Sequence, residues 1–276
     1  MGILFLMTSN PARSETFTSL DALIKHYDSG ACKECHGKIH EEWSKSFHGR
    51  SIVQSLGSLR AFVAALETER KVAPDKGQML KCLDCHAPIV NDASEAVVQE
   101  IVGLVKTAMD DKDEAKKKAA RDKLAKLAVD CLGCHRVKGT ANALTPPDPK
   151  MIYGPKAGQA QHPVQAISVM KSSVMCSQCH ALWYAKDGEY LYCTTIFESH
   201  QNAYRGLGGT RTCQDCHMKE GSHSFPGAHD QELVKAGVQL ALDAVGYRHL
   251  TEGKYLPRAV VNVDISNRAG HRIPDG

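Results

Sequence analysis

Cys32-Lys33-Glu34-Cys35-His36 opens a series that decides how this chain must be built. The same form returns as Cys82-Leu83-Asp84-Cys85-His86, Cys131-Leu132-Gly133-Cys134-His135, Cys176-Ser177-Gln178-Cys179-His180 and Cys213-Gln214-Asp215-Cys216-His217, leaving one of the 11 cysteines outside it. Cys-x-x-Cys-His is the attachment signature of c-type haem. The two thiols add to the two vinyl groups, and the adjacent imidazole reaches the iron as proximal ligand. The spacing matters because one helical turn must put both sulfurs and the imidazole on one side of the porphyrin. The expected covalent sites are therefore Cys32, Cys35, Cys82, Cys85, Cys131, Cys134, Cys176, Cys179, Cys213 and Cys216, with His36, His86, His135, His180 and His217 as proximal ligands. The expected cofactors are five haem c groups and their iron. Zinc takes such pairs two to an ion, which leaves an odd pair over and five identically placed histidines unexplained. A thioredoxin-type motif needs one pair in a βαβ setting, and disulfide scaffolds are shorter chains.

A length of 276 residues allows one or two domains. Aromatic residues make up only 6%, so porphyrin is expected to supply much of the core. The motifs recur at short intervals, which implies haems packed close together. The expected fold is mainly α with much irregular loop, wrapped around a closely packed haem array, with a short β segment starting near the C-terminus. Stability should come with the cofactors, so the haem-free chain is not expected to fold alone. The formal charge of +3 omits the haem propionates. The loaded protein is expected to be acidic, which argues against nucleic acid as a partner. The mixed-sign stretch 111–126 reads as a solvated helix face.

The first residues, Met1-Gly2-Ile3-Leu4-Phe5-Leu6-Met7, with Ala12-Arg13-Ser14 as a small-x-small site, have the form of the end of a secretory leader. Residues 1–14 are expected to be a truncated signal peptide, and the mature chain to begin near Glu15 in the periplasm or another exported location. No later run reaches the roughly 18 apolar residues of a membrane span.

Short helices are expected over 20–70, with 58–71 amphipathic. Val98, Ile101, Val102, Val105 and Met109 share a helical face, Asp110-Asp111 interrupts it, and Ala120, Leu124 and Leu127 resume it. That pattern predicts two antiparallel helices whose stripes pack against other side chains. Pro146, Pro147, Pro149 and Pro155 mark 138–161 as a long loop. A further helix is expected over 229–246, and 255–266, rich in β-branched residues, reads as a strand. Residues 15–250 are taken as the five-haem domain.

What faces each proximal histidine decides the chemistry: a second histidine makes an electron carrier, an open position a candidate enzyme. Nine histidines lie outside the motifs: His26, His40, His48, His162, His200, His223, His229, His249 and His271. The stretch from Cys32 to His48, with Trp43 and Ser46, resembles the cytochrome c-554-like branch of multihaem cytochromes, related to the five-haem nitrite reductases. There the final histidine is a distal ligand. That family often has Tyr where His40 stands. Gly154-Pro155 and His162-Pro163 ahead of Cys176 resemble its GP…HP stretch. Thr212 to Met218, then His223-Ser224-Phe225-Pro226-Gly227-Ala228-His229, resembles its CQxCHM…HxFPGxH block. Asn267 to Gly276 is similar to its NxxGHxxPxG turn, which in the family continues into further chain, so 251–276 is expected to begin a truncated β domain. The resemblance implies His48, His162, His223, His229 and His271 as distal ligands, with His200 in reserve.

The lone Cys193 sits in an apolar segment and is expected to be buried and inert, a thiolate ligand or catalytic sulfur being the alternatives. The functional expectation is an electron carrier of anaerobic respiration with bis-His haems. Its partners would be a membrane quinol dehydrogenase and a terminal reductase or other cytochrome. The alternatives are a reductase or oxidase of a small nitrogen or sulfur oxyanion at an open haem, and a subunit of an extracellular cytochrome filament. The nitrite reductases attach their catalytic haem through CxxCK, and all five motifs here end in His.

Overall fold

The computed structural model describes residues 16–138, 148, 150–181, 183–184, 190–191 and 194–275. The expected leader, Pro146, Pro147, Pro149 and Cys193 lie outside the described residues. The chain divides into two compact units, Met1–Cys179 with Thr212–Phe225, and His180–Arg211 with Pro226–Gly276. Helices and loops dominate, with a β-hairpin near the C-terminus.

In the first unit, the expected helical pair is Glu95–Asp110 and Glu114–Ala125. Ser94 accepts from the Val97 amide to start the first helix, and Asp111 leaves it with an extended backbone. The Asp113 carboxylate accepts from the Ala115 amide at 2.8 Å and starts the second. Such caps satisfy amides that a helix start leaves unpaired. Val98, Ile101, Val102 and Val105 are buried against Ala120, Leu124 and Leu127, together with Leu20, Leu23, Ile52, Leu59, Met79 and Leu83. The stripe is a packing face, as its periodicity implied. The segment expected to be amphipathic is the helix Leu56–Ala64, which widens into a π-type turn over Ala65–Glu69.

This apolar core has a sharp limit. Every buried apolar side chain among the described residues lies at or before Tyr153. The first three motifs therefore have side-chain packing beside them, which low aromatic content did not suggest. Aliphatic residues supply it.

Beyond the core, Ile152–Gly154 pairs in parallel with Val164–Ala166, so the expected long loop contains a short strand. This pairing carries His162-Pro163 back beside Tyr153: the Ile152 amide donates to the Pro163 carbonyl at 3.0 Å.

The second unit corrects one expectation. The helix expected over 229–246 stops early: Gln231–Gly237 is helical and Val238–Thr251 is a strand. Val238, Leu240, Leu242 and Ala244 alternate with Gln239, Ala241 and Asp243, and this period of two prevails once Lys254–Asn267 is available as a partner. The turn Glu252-Gly253 has φ of 50° and 75°. Both central residues positive is the form whose twist matches a two-residue hairpin. The pairing register puts Leu240, Leu242, Val261, Val263 and Ile265 on one face, where each is more than half exposed. The Asn267-to-Asp275 turn packs within this unit. Asn267 accepts from the Ala269 amide, Ser199 Oγ accepts from the Arg272 amide at 2.6 Å, and Asp275 accepts from the Thr195 amide at 2.9 Å. Gly270, at φ 77°, lies against the Tyr204 ring, where a Cβ would come within 3.3 Å.

The core limit gives a direct expectation. Ile101→Ala should destabilise the loaded protein by about 2–5 kcal/mol, whereas Leu242→Ala on the exposed hairpin should change stability by no more than about 0.5 kcal/mol. Chemical denaturation followed by far-UV circular dichroism distinguishes the two.

Candidate haem-attachment cluster

Each motif sits on or beside a helical segment. The first lies on Gly30–Glu34, with His36 starting the helix Gly37–Lys45. The second ends the helix Lys76–His86, the third enters the wide turn Gly133–Lys138, the fourth begins on Ser173–Ser177, and the fifth is the helix Cys213–His217. Thr212 and Asp215 form a reciprocal capping box on the last, which fixes a helix too short to persist on its propensity alone. None of the ten motif cysteines is paired in a disulfide. The unit boundary falls between Cys179 and His180.

The motifs are brought together in pairs, and every sulfur contact is matched by a polar one beside it. The Cys32 and Cys131 thiols touch, and Ser29 donates to Asp130 Oδ2 at 2.6 Å next to them. Asp130 Oδ1 accepts from the Gly133 amide at 2.6 Å and so caps the turn carrying Cys134 and His135. Burial holds the Asp130 carboxyl above the usual carboxylate range. The Cys85 and Cys179 thiols touch, and Lys138 links to Asp84 at 2.8 Å while its carbonyl accepts from Gln178. The Cys176 and Cys213 thiols touch, the Cys213 amide donates to Ser173 Oγ at 3.1 Å, and Gln214 donates to the Ser172 carbonyl at 2.8 Å.

Burial and neighbouring thiols raise four of these groups, and the donation from Cys85 lowers Cys179. Burial pushes Cys134 up to about 12 and Cys131 up to about 11, the latter helped by Cys32 and Asp130. Donation to Cys179 and then burial raise Cys85, and donation to Cys213 and then burial raise Cys176.

The histidines divide by which ring nitrogen is occupied. His135 Nδ1 lies 2.7 Å from the Tyr153 carbonyl, which fixes that nitrogen as the donor and leaves Nε2 as the lone-pair site. His223 Nδ1 is held in the same way by the Gly221 carbonyl at 2.8 Å, and His271 Nδ1 by the Arg272 carbonyl at 2.8 Å. His86 Nδ1 lies 2.8 Å from Ser55 Oγ, whose own proton goes to the Ser51 carbonyl, so the imidazole must be the donor there. Burial lowers the pKa of both His86 and His135, which favours the neutral ring that a metal binds.

Two pairs of the expected ligands come together. The His36 and His162 rings are 6.5 Å apart, and the His135 and His223 rings are 6.3 Å apart. An iron about 2 Å from a nitrogen of each of two imidazoles, with about 1 Å more to each ring centre, needs a separation of about 6 Å. His48 lies edge-on to Phe225 at 4.4 Å, and His223 meets the same ring at 5.7 Å. Glu42 holds this loop in place by accepting from the His223 amide at 2.8 Å, and that amide keeps the Glu42 carboxyl below its usual range. His229 and His271 belong to the second unit. The reserve candidate His200 is buried there, with Gln201 on Nδ1 and the Arg211 carbonyl on Nε2, so the nitrogen needed for a metal is taken. Sequence reasoning missed Ser55, Asp84, Asp130, Lys138 and Gln178. Asp84 and Gln178 fill the variable positions of their motifs, where nothing in the motif itself marks them.

The family described as cytochrome c554 and c-prime matches residues 31–106. Over that stretch, which holds the first two Cys-x-x-Cys-His motifs, the chain is similar to c-type cytochromes. No curated protein and no solved structure matches the chain. No described helix is long and apolar enough to cross a membrane.

The His86 arrangement is testable on the loaded protein. A ligand imidazole that donates from Nδ1 is more basic and favours ferric iron. Ser55→Ala should therefore raise the midpoint of one haem and leave the haem content unchanged, as read by potentiometric titration of the visible bands.

Proposed function

We propose that the protein is an exported electron carrier with five covalently bound c-type haems, each bis-His ligated. It would relay electrons from a membrane quinol-oxidising partner to a terminal reductase or another cytochrome. The observation that carries this reading is the spacing of His36 with His162 and of His135 with His223, at 6.5 and 6.3 Å. In the second pair both Nδ1 atoms are satisfied by carbonyls, so both Nε2 atoms are available to one iron. The donor set fits the group. His162 then serves the haem of the first motif and His223 that of the third. His48, His229 and His271 are the further distal candidates.

In this assignment the haem supplies the one-electron chemistry and the chain supplies the rest. The carbonyls of Tyr153 and Gly221 orient the imidazoles, and the paired motifs hold the attachment points together. A saturated iron needs no substrate pocket. The five-haem region is proposed as 15–250, with a β segment from 251; the first strand of the hairpin, Val238–Thr251, lies ahead of that point.

Electron paramagnetic resonance of the oxidised protein tests the reading. Only low-spin ferric signals should appear, with no perturbation by nitrite, cyanide or carbon monoxide. His162→Ala and His223→Ala should each convert one haem to a high-spin form that binds carbon monoxide once reduced. A high-spin haem in the unmodified protein would favour the oxyanion reductase instead.

A further inference from the structure

Lys138 is only 9% exposed, yet it carries a charge. Its Nζ lies 2.8 Å from Asp84 Oδ1, and the Asp84 side chain is 37% exposed, so the cation is the buried half of the pair. Asn91 donates to the same carboxylate at 2.6 Å, and Gln178 donates to the Lys138 carbonyl at 2.8 Å. Asp84 adjoins Cys85 in the second motif, Gln178 adjoins Cys179 in the fourth, and Lys138 stands three residues past His135 of the third. Lys138 thus sits where three attachment motifs meet. Its charge pulls on the thiols of Cys85, Cys134 and Cys179 against their burial.

Stability does not explain this ammonium. Burying an ion pair costs desolvation that its attraction only partly offsets, and apolar residues of similar volume often do as well or better. The motifs are already joined by the Cys85–Cys179 contact.

We infer that Lys138 sets the reduction potentials of the haems attached at the second, third and fourth motifs, holding them higher than an uncharged side chain would; the inference rests on the five-haem reading above. Reduction brings one electron from an external donor to a ferric iron and gives ferrous iron, with no bond formed or broken. The charge of that haem falls by one. A fixed positive charge in a weakly screened interior stabilises the reduced form more than the oxidised one. Asp84 opposes the effect, but solvent reaches its carboxylate and screens it, so the field of the buried ammonium prevails. Lys138 touches no substrate and is a positioning residue for charge.

The two partners must therefore act with opposite sign. Removing the ammonium leaves a carboxylate alone beside the cluster, and removing the carboxylate leaves an ammonium alone. A strut that merely holds the motifs in place has no such sign. The test is potentiometric titration of the holoprotein followed by haem absorbance, using Lys138→Met, Asp84→Asn and Lys138→Arg. Haem content and electron paramagnetic resonance are recorded on the same samples. Lys138→Met should move part of the titration to lower potential, on the order of tenfold in the reduction equilibrium or ~59 mV for one electron. Asp84→Asn should move it higher, and Lys138→Arg should leave it near the unmodified position. Shifts of the same sign in the first two variants, or none, overturn the inference. Should Lys138→Met fail to assemble, Lys138→Gln decides in its place: a fall supports the inference, and a rise or no change overturns it. Fewer than five haems in the unmodified protein would instead sink the five-haem reading, and the haem assay reports that independently.

Discussion

The contact between attachment cysteines of different motifs is the constraint on which the first unit depends. Cys32 meets Cys131, Cys85 meets Cys179, and Cys176 meets Cys213. In the five-haem reading each motif would bind both its sulfurs to one porphyrin, and sulfurs in contact would then bring the porphyrins close together. The chain reaches this arrangement with little regular structure around the motifs. It relies on a buried carboxylate at Asp130, a buried ammonium at Lys138 and the hydroxyl of Ser173, each bridging two motifs beside the sulfurs. The polar links and the sulfur contacts describe the same junctions.

Stabilisation is divided along the chain. Up to Tyr153 the helices bury aliphatic stripes against one another, and this part can hold its first three motifs by ordinary packing. The fourth and fifth motifs follow where no described apolar side chain is buried, so polar links carry their order, and covalent haem would add to it. A c-type haem is well suited to this, because its attachment is covalent and its apolar faces replace a missing core. The carbonyl-oriented imidazoles of His135 and His223 would suit an iron that changes its redox state without changing its ligands.

Much of this was legible in the sequence, for physical reasons. The Cys-x-x-Cys-His motif encodes chemistry within five residues, so its reading needs no tertiary context. The helices Glu95–Asp110 and Glu114–Ala125 were legible because a stripe such as Val98, Ile101, Val102 and Val105 is local and long. The strand Lys254–Asn267 was legible from its β-branched residues, but its partner Val238–Thr251 was not. Leu240 and Leu242 fit either period, and only pairing across the turn at Glu252-Gly253 decides. The polar links were illegible for the same reason. Ser29 and Asp130, or Asp84 and Lys138, are far apart in sequence and become partners only after the motifs have met. Of the expected distal ligands, His162 and His223 are implied by resemblance, and the structure sets their rings near those of His36 and His135. His200 shows why geometry was needed, since its Nε2 is already engaged by the Arg211 carbonyl.

Intact-mass spectrometry of the protein, after denaturation and thiol alkylation, tests the central claim most directly. Five haems bound through ten cysteines predict a mass above that of the polypeptide by five haem groups, with Cys193 the only cysteine open to alkylation. A mass carrying fewer than five haems, or alkylation of any motif cysteine, would contradict it.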